Sequence, residues 1–383
     1  MATSRIRVLD GLRGIAALVV VFSHVMVAGP QGAAVYQGRH VRHFSFTWWL
    51  GYTPLHLLWE GGAAVTLFFV LSGYVLTAQM TGERPPWTEY FPRRVLRLYL
   101  PVWGAVLVAG LLAALTPRRF DAVATFWTND HAGTSLAHGG LDAATLFRKF
   151  PWLDSPLWSL KWEVLFSLLL PLYIYALSAL RRHCVVASIV LIASSTAGTH
   201  WGHDSLRYMP IFGLGVLMRV SLAHAEEGRA RRGTLALLGL VVVVGSSAFW
   251  IAVGAGIRGG LLDLLQGVQT AALAPIIYIA LSSHRLRQLV ESGPTQWLGK
   301  RSFSLYLVHE PIVVTAAVLV GARSIAIAAI AIPLSLLTAE VFFKLVEAPC
   351  HGLSRRGGIV ALRTLNSFRT NREIPARSEH RGV

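Results

Sequence analysis

Two ionisable residues, Arg13 and His24, stand eleven positions apart in the first apolar stretch of the chain. At about 100° per residue, eleven steps close to within roughly 20° of whole turns, so a helix presents both on one face, about 16 Å apart. A guanidinium grips anions, and an imidazole titrates near neutral pH and can take a proton from a hydroxyl. Such a face suits a long ligand with a charged head. An acyl-CoA has that form: phosphates, a slender pantetheine arm, then a thioester. The plain alternatives are a basic helix anchor for Arg13 and a helix-packing role for His24.

Other groups extend this chemistry. Arg94 and Arg97, in FPRRVLRLYLPVW, are three apart and share a helix face, and guanidinium forks bind phosphates bidentately. A basic anchor is again the alternative. Glu163, in PLWSLKWEVLFSLLLPL, falls at about the depth of His24. A carboxylate and an imidazole at one depth can form a pair in which Glu163 holds the tautomer and His24 is the base. A structural pair of Glu163 with Lys161 or an arginine is the alternative. Trp158 and Ser159 just before it are expected substrate contacts. So are His309 and Glu310, because His309-Glu310-Pro311 is expected to break its apolar segment into a cavity-lining bend. Ser72 could carry an acyl group, but no base stands beside it, and Ser72-Gly73 reads better as helix packing. Glu340 and Lys344 form an i,i+4 ion pair, and Glu347 is placed to pair with a loop arginine. No metal is expected. His131, His138, His200 and His203 are scattered, and Cys184 and Cys350 have neither ligand spacing nor a disulfide framework. No phosphate loop, dinucleotide fingerprint or soluble-hydrolase signature occurs.

The elements that must position these residues are membrane spans. Of 383 residues, 54% are hydrophobic and 14% charged, with mean hydropathy +0.53. Soluble domains carry about 25% charged residues. That contrast excludes a soluble globular enzyme and a disordered chain. Ten apolar segments, at 12–28, 60–80, 95–116, 157–179, 184–200, 206–222, 234–253, 261–282, 302–321 and 324–347, approach or reach the length that crosses a bilayer. The expected fold is all-α: a polytopic membrane bundle of about ten helices. The first segment has no small-residue cleavage site and is expected to remain as an anchor. Placing both termini in the cytoplasm puts most Lys and Arg on that side, so the net charge of +16 reads as topology rather than nucleic-acid binding. Residues 1–350 form the membrane domain. Residues 351–383 form a basic cytoplasmic tail, either disordered or lying on anionic lipid.

These blocks, in this order, resemble the acyltransferase-3 family of integral membrane acyltransferases. The matching residues are LDGLRGIAALVVVFSH (9–24), LFFVLSGYVL (67–76), Arg94-x-x-Arg97, PLWSLKWEVLFSLLLPL (156–172), SFSLYLVHEPI (302–312) and VEAP (346–349). The resemblance implies about ten spans in a bacterial cytoplasmic membrane. It implies transfer of an acyl group, often acetyl from acetyl-CoA, to a hydroxyl of a carbohydrate or sugar-bearing acceptor. His24 is then the catalytic histidine, Glu163 an active-site carboxylate, and Arg13, Arg94 and Arg97 the donor site. Two departures stand out. Val65-Thr66 occupies a place where many relatives carry an acid, with Glu60 on the same span nearly two turns away, and Phe166-Ser167 replaces a commoner aromatic pair. Many relatives also carry a fused esterase-like domain. Only a short tail follows here, so the chain is expected to act alone or with a separate partner. A homodimer is possible. The alternative function is a transporter or flippase for a glycan or lipid intermediate, against which no inverted repeat is visible. A scaffold or sensor is a third reading.

Overall fold

In a computed structural model of the chain, residues 2–39, 41–81, 85–222 and 232–372 are described. Among them no strand forms, and the helices run α1 Ala2–Ala28, α2 Pro30–Tyr36, α3 Phe46–Tyr52, α4 Gly61–Met80, α5 Trp87–Leu115, α6 Phe126–Asp130 and α7 Gly140–Thr145. They continue as α8 Leu160–Ala179, α9 Cys184–His200, α10 Asp204–Leu222, α11 Arg232–Gly254, α12 Gly260–Leu273, α13 Pro275–Ser282, α14 His284–Val290, α15 Gly293–Val320, α16 Ser324–Phe342 and α17 Ala348–Arg372. Short 3₁₀ turns at Pro54–Leu58 and Ser155–Ser159 lead into α4 and α8.

Nine helical stretches among the described residues are long and apolar enough to cross a membrane. The tenth expected segment, 206–222, is indeed helical within α10, but Asp204, Arg207 and Arg219 make it less apolar than the nine. It forms a hairpin with α9 through residues 201–203 and packs on α4 and α8. Apolar residues cover much of the outside: Leu107, Leu111 and Leu115 on α5 are all at least 60% exposed, as expected of a face turned to lipid tails.

At the centre α1 crosses α15, and glycine sets the distance. A Cβ at Gly14 would come within 2.5 Å of the Gly299 nitrogen, so only hydrogen fits there. The same device joins α4 to α10, where a Cβ at Gly73 would meet the Phe212 carbonyl at 2.1 Å. Backbones that touch bring the side chains just beyond the crossing within hydrogen-bonding reach.

Two expectations are corrected. The His309-Glu310-Pro311 triplet does not break its helix: α15 runs unbroken from Gly293 to Val320 through Pro311. The loss of one backbone donor is tolerated inside a packed bundle. The basic tail is helical as far as Arg372, joined to α16 through a π-turn at Phe343–Glu347, and it lies along α5. Residues 373–383 lie outside the described residues.

Candidate active site

His24 lies on α1 beyond the Gly14 crossing and meets His309 of α15, with Nδ1 2.7 Å from His309 Nε2. The tautomers follow from His309's other nitrogen. Its Nδ1 lies 3.0 Å from the Leu305 carbonyl and 2.9 Å from that of Tyr306. Carbonyls only accept, so Nδ1 carries the hydrogen and Nε2 of neutral His309 is an acceptor. His24 Nδ1 must then donate, and His24 Nε2 is left with its lone pair. That is the form a general base requires. The indole of Trp127 on α6 stacks on His24, with ring centroids 5.4 Å apart.

The expected pairing of Glu163 with His24 is not what the helices bring together. Glu163 Oε1 instead receives Arg94 Nη2 at 2.5 Å and the Ser72 hydroxyl at 3.3 Å. Ser167 Oγ accepts from Arg94 Nε at 3.1 Å and donates to the Glu163 carbonyl at 2.6 Å. Ser167 is one of the two departures noted in the sequence, and its hydroxyl does here what an aromatic ring could not. Lys161 turns away, its ammonium over the Trp162 ring. Ser72 is thus a carboxylate ligand with no histidine beside it.

Arg13, Arg94, Arg97 and Glu163 share one cavity of about 260 Å³, together with Asp10, Lys300, Glu347 and His351. Arg94 is neutralised by Glu163, and Glu347 accepts from the Ser304 backbone at 3.1 Å and its hydroxyl at 2.5 Å. Glu347 therefore binds Ser304 and lies 3.4 Å from His351 rather than pairing with a loop arginine. Arg13, Arg97 and Lys300 make no ion pair or side-chain hydrogen bond among the described residues. With the Asp10 and Glu347 carboxylates in the same lining, these three cations leave the cavity one positive charge in excess, which suits an anion. A narrower neck of about 30 Å³ continues from this vestibule, sharing Arg13, Glu163, Ser302 and Phe303 with it and lined further by Phe68, Phe69, Ser72, Ser159 and Tyr306. The Tyr306 hydroxyl lies 2.8 Å from Ser159 Oγ and donates to the Pro156 carbonyl at 3.0 Å. The Tyr306 ring is 6.0 Å from that of His309. Tyr306 thus stands between the neck, which it lines, and His309, while neither histidine lines the neck itself.

Of the other expected substrate contacts, Ser159 lines the neck, whereas Trp158 packs against Tyr208 and Phe69. Glu310 is fully buried and committed: Oε1 is 3.0 Å from His131 Nε2, and the Ser155 backbone and hydroxyl also bond to its carboxylate. His131 Nδ1 lies 2.7 Å from the Trp127 carbonyl, so the Glu310 latch also fixes the segment whose indole covers His24. Beside it, Asp154 and Arg118 are buried, and both Asp154 carboxylate oxygens and Arg118 Nε and Nη2 lack hydrogen-bond partners among the described residues. Burial, reinforced by the charge of Glu310, holds the Asp154 carboxyl well above the usual range, with Arg118 opposing. Burial likewise lowers Arg118.

Sequence reasoning missed the roles of His309 as the partner of His24, of Trp127 as its cover, and of Lys300 and His351 in the vestibule. Trp127 and His131 are visible as an i,i+4 pair, but nothing in the sequence says which helix their loop folds onto. Among the described residues no His, Cys, Asp and Glu side chains cluster so as to hold a metal ion.

Residues 6–343 match the acyltransferase domain family. Peptidoglycan O-acetyltransferase OatA of Listeria monocytogenes is 23% identical over 382 residues, covering 89% of this chain and 55% of that protein. Acyltransferase MdmB of Streptomyces mycarofaciens is 26% identical over 336 residues, covering 80% of this chain and 78% of that protein. Putative peptidoglycan O-acetyltransferase YrhL of Bacillus subtilis is 24% identical over 346 residues, covering 80% of this chain and 48% of that protein. The chain thus spans about half the length of the two peptidoglycan relatives. No solved structure matches it. The family match begins within α1 and ends at the π-turn after α16, so it contains the histidine pair, the neck and nearly all of the vestibule, and with it the chain belongs to the acyltransferase-3 family.

Proposed function

We propose that the chain is a membrane O-acyltransferase that moves a short acyl group, such as acetyl, from acyl-CoA to a hydroxyl of a carbohydrate or sugar-bearing acceptor, with His24 as the general base. The carrying observation is the His24–His309 pair, whose hydrogen-bond chain leaves the Nε2 lone pair of His24 free to receive a proton. The cation-lined vestibule suits the phosphates of the donor, and the neck marks the route its pantetheine arm takes once the side chains lining it swing aside. The acceptor class rests on two relatives named as peptidoglycan O-acetyltransferases.

In the reaction the acceptor oxygen bonds to the thioester carbonyl carbon while its proton passes to His24 Nε2. The carbon–sulfur bond then breaks, and the same proton goes to the departing thiolate. His309 Nε2 accepts from His24 Nδ1 throughout, so the imidazolium forms without turning its ring. Glu163 serves the donor side by fixing Arg94, not by orienting His24. On this reading the Arg13 end of the bundle faces the cytoplasm, as do both termini, and the protein sits in the bacterial cytoplasmic membrane.

The test is purified full-length protein in detergent, supplied with acetyl-CoA and an oligosaccharide acceptor. Release of CoA and a gain in acceptor mass, without any gradient, are expected. In His24→Ala the transfer rate should drop roughly 10²–10⁴-fold, the contribution of a positioned general base. Full transfer by a well-folded His24→Ala protein would overturn the assignment of the base, and the absence of any transfer by wild type would overturn the enzyme reading in favour of transport.

A further inference from the structure

We infer that Lys300 and His351 form a second anion subsite in the vestibule, which receives a phosphate at the nucleotide end of the donor and makes the enzyme discriminate between a thioester carrying a 3′-phosphate and one lacking it. The inference rests on the donor reading above and deepens it.

The argument is positional. Arg13 lines both the vestibule and the neck, so it stands at their junction and meets the donor where the pantetheine arm begins. Lys300 and His351 line the vestibule but not the neck. They therefore meet the donor on the vestibule side of that junction, where its phosphates lie. Lys300 lies at the exposed start of α15, nine residues before His309, which is about 14 Å along the helix. His351 comes from α17, the first turn of the helix that follows Glu347. Two helices with no shared sequence neighbourhood thus deliver a cation and a titratable imidazole to the lining of one cavity.

The remaining charged groups do not satisfy them. Glu163 is taken by Arg94, and Glu347 is held by Ser304, with His351 at 3.4 Å and not hydrogen-bonded through Nε2. Asp10 is the one further acid in the cavity, facing Arg13, Arg97 and Lys300 together. A bond to neutral Ser304 leaves the Glu347 charge in place, so Asp10 and Glu347 together face Arg13, Arg97 and Lys300, and the vestibule keeps one positive charge in excess that an anion would balance.

The experiment compares acetyl-CoA with acetyl-dephospho-CoA as donors for the full-length protein in detergent. Wild type should favour acetyl-CoA in kcat/KM by roughly tenfold or more, the usual scale for one charge-assisted hydrogen bond. Lys300→Gln and His351→Gln should each lower kcat/KM for acetyl-CoA through KM by several-fold more than they lower it for acetyl-dephospho-CoA. The double variant should use the two donors equally. Lys300→Arg, which keeps the charge, should restore the preference. Equal use of both donors by wild type, or parallel losses on both donors in the variants, overturns the subsite while the acyltransferase reading stands. No transfer from either donor by wild type overturns both.

Discussion

An imidazole holds one tautomer when one of its nitrogens is committed to a partner of fixed polarity, and in this protein that commitment is read directly from two backbone carbonyls. Leu305 and Tyr306 set the tautomer of His309, and His309 sets that of His24. Glu163 sits in a separate network with Arg94, Ser72 and Ser167. The two networks should therefore fail differently. His309→Leu is expected to lower kcat by about 10²-fold or more with little change in donor KM, because it removes the acceptor that steadies the His24 imidazolium. Glu163→Gln is expected to raise donor KM with a smaller effect on kcat, because it loosens Arg94. Steady-state kinetics on both variants, with donor concentration varied, check the split. If Glu163→Gln acts on kcat as strongly as His309→Leu, Glu163 belongs with the base after all. The chemistry-bearing residues themselves are legible in the sequence: Arg13, His24, Arg94, Arg97 and Glu163 all stand out as charges among apolar neighbours. Their partners are less legible. Counting residues at 1.5 Å gives depth along a span, so His24 and Glu163 look like neighbours. That count depends on where α8 is taken to enter the membrane, and Glu163 in fact lines the cavity of Arg13, about 16 Å along α1 from His24.

At the scale of elements, the loop between α5 and α8 is the part least visible beforehand. Its short helix α6 and the turn at Ser155–Ser159 fold over the histidine end of the bundle and are held by the buried contact of Glu310 with His131 and Ser155. The sequence shows tryptophans and histidines there but no periodicity, and without periodicity nothing states which buried group the loop meets. Asp154 in this loop gives a pH signature. Its folded-state carboxyl is raised, so the folded protein binds that proton more tightly than the unfolded chain does. The resulting stability is full below the ordinary value of 3.8 and is lost as pH rises through the raised value. Thermal unfolding in detergent should therefore show wild type losing stability between acid and neutral pH by more than Asp154→Asn does. Identical pH slopes for the two proteins would remove Asp154 from the account. The spans, in contrast, are legible from hydropathy alone. The exception is α10, whose charged residues Asp204, Arg207 and Arg219 stand near its ends, none of them buried, while its middle packs on α4, α8 and α9.

Considered as a whole molecule, the bundle extends beyond what its apolar segments mark out. The helix begun at Ser324 continues through the π-turn into α17, which returns along α5 and contributes His351 to the vestibule. The packing is close: a Cβ at Gly357 would meet Leu96 at 2.5 Å, and one at Gly358 would meet the Glu89 carbonyl at 2.9 Å. The start of α5 carries Arg94 and Arg97, so α17 supports the donor side of the site. A chain ending after Glu347 is expected to insert into membranes and to bind donor at least about tenfold more weakly than the full chain. Isothermal titration of both proteins with CoA measures the difference, and equal affinity would reduce α17 to a passive appendage. From composition this segment looks like a solvated tail, because its mean hydropathy is low and the glycines that let it dock are poor helix formers.

The neck between vestibule and histidines has one more consequence, which concerns the cell rather than the substrate. A passage of about 30 Å³ has room for only a water or two, so a pantetheine arm enters only when Phe68, Phe69 and Phe303, which line much of it, swing aside. Such a constriction breaks any continuous file of water from one side of the bilayer to the other. An enzyme with a hydrated, charged chamber sunk into the membrane can then work without short-circuiting the proton gradient on which the rest of the cell depends.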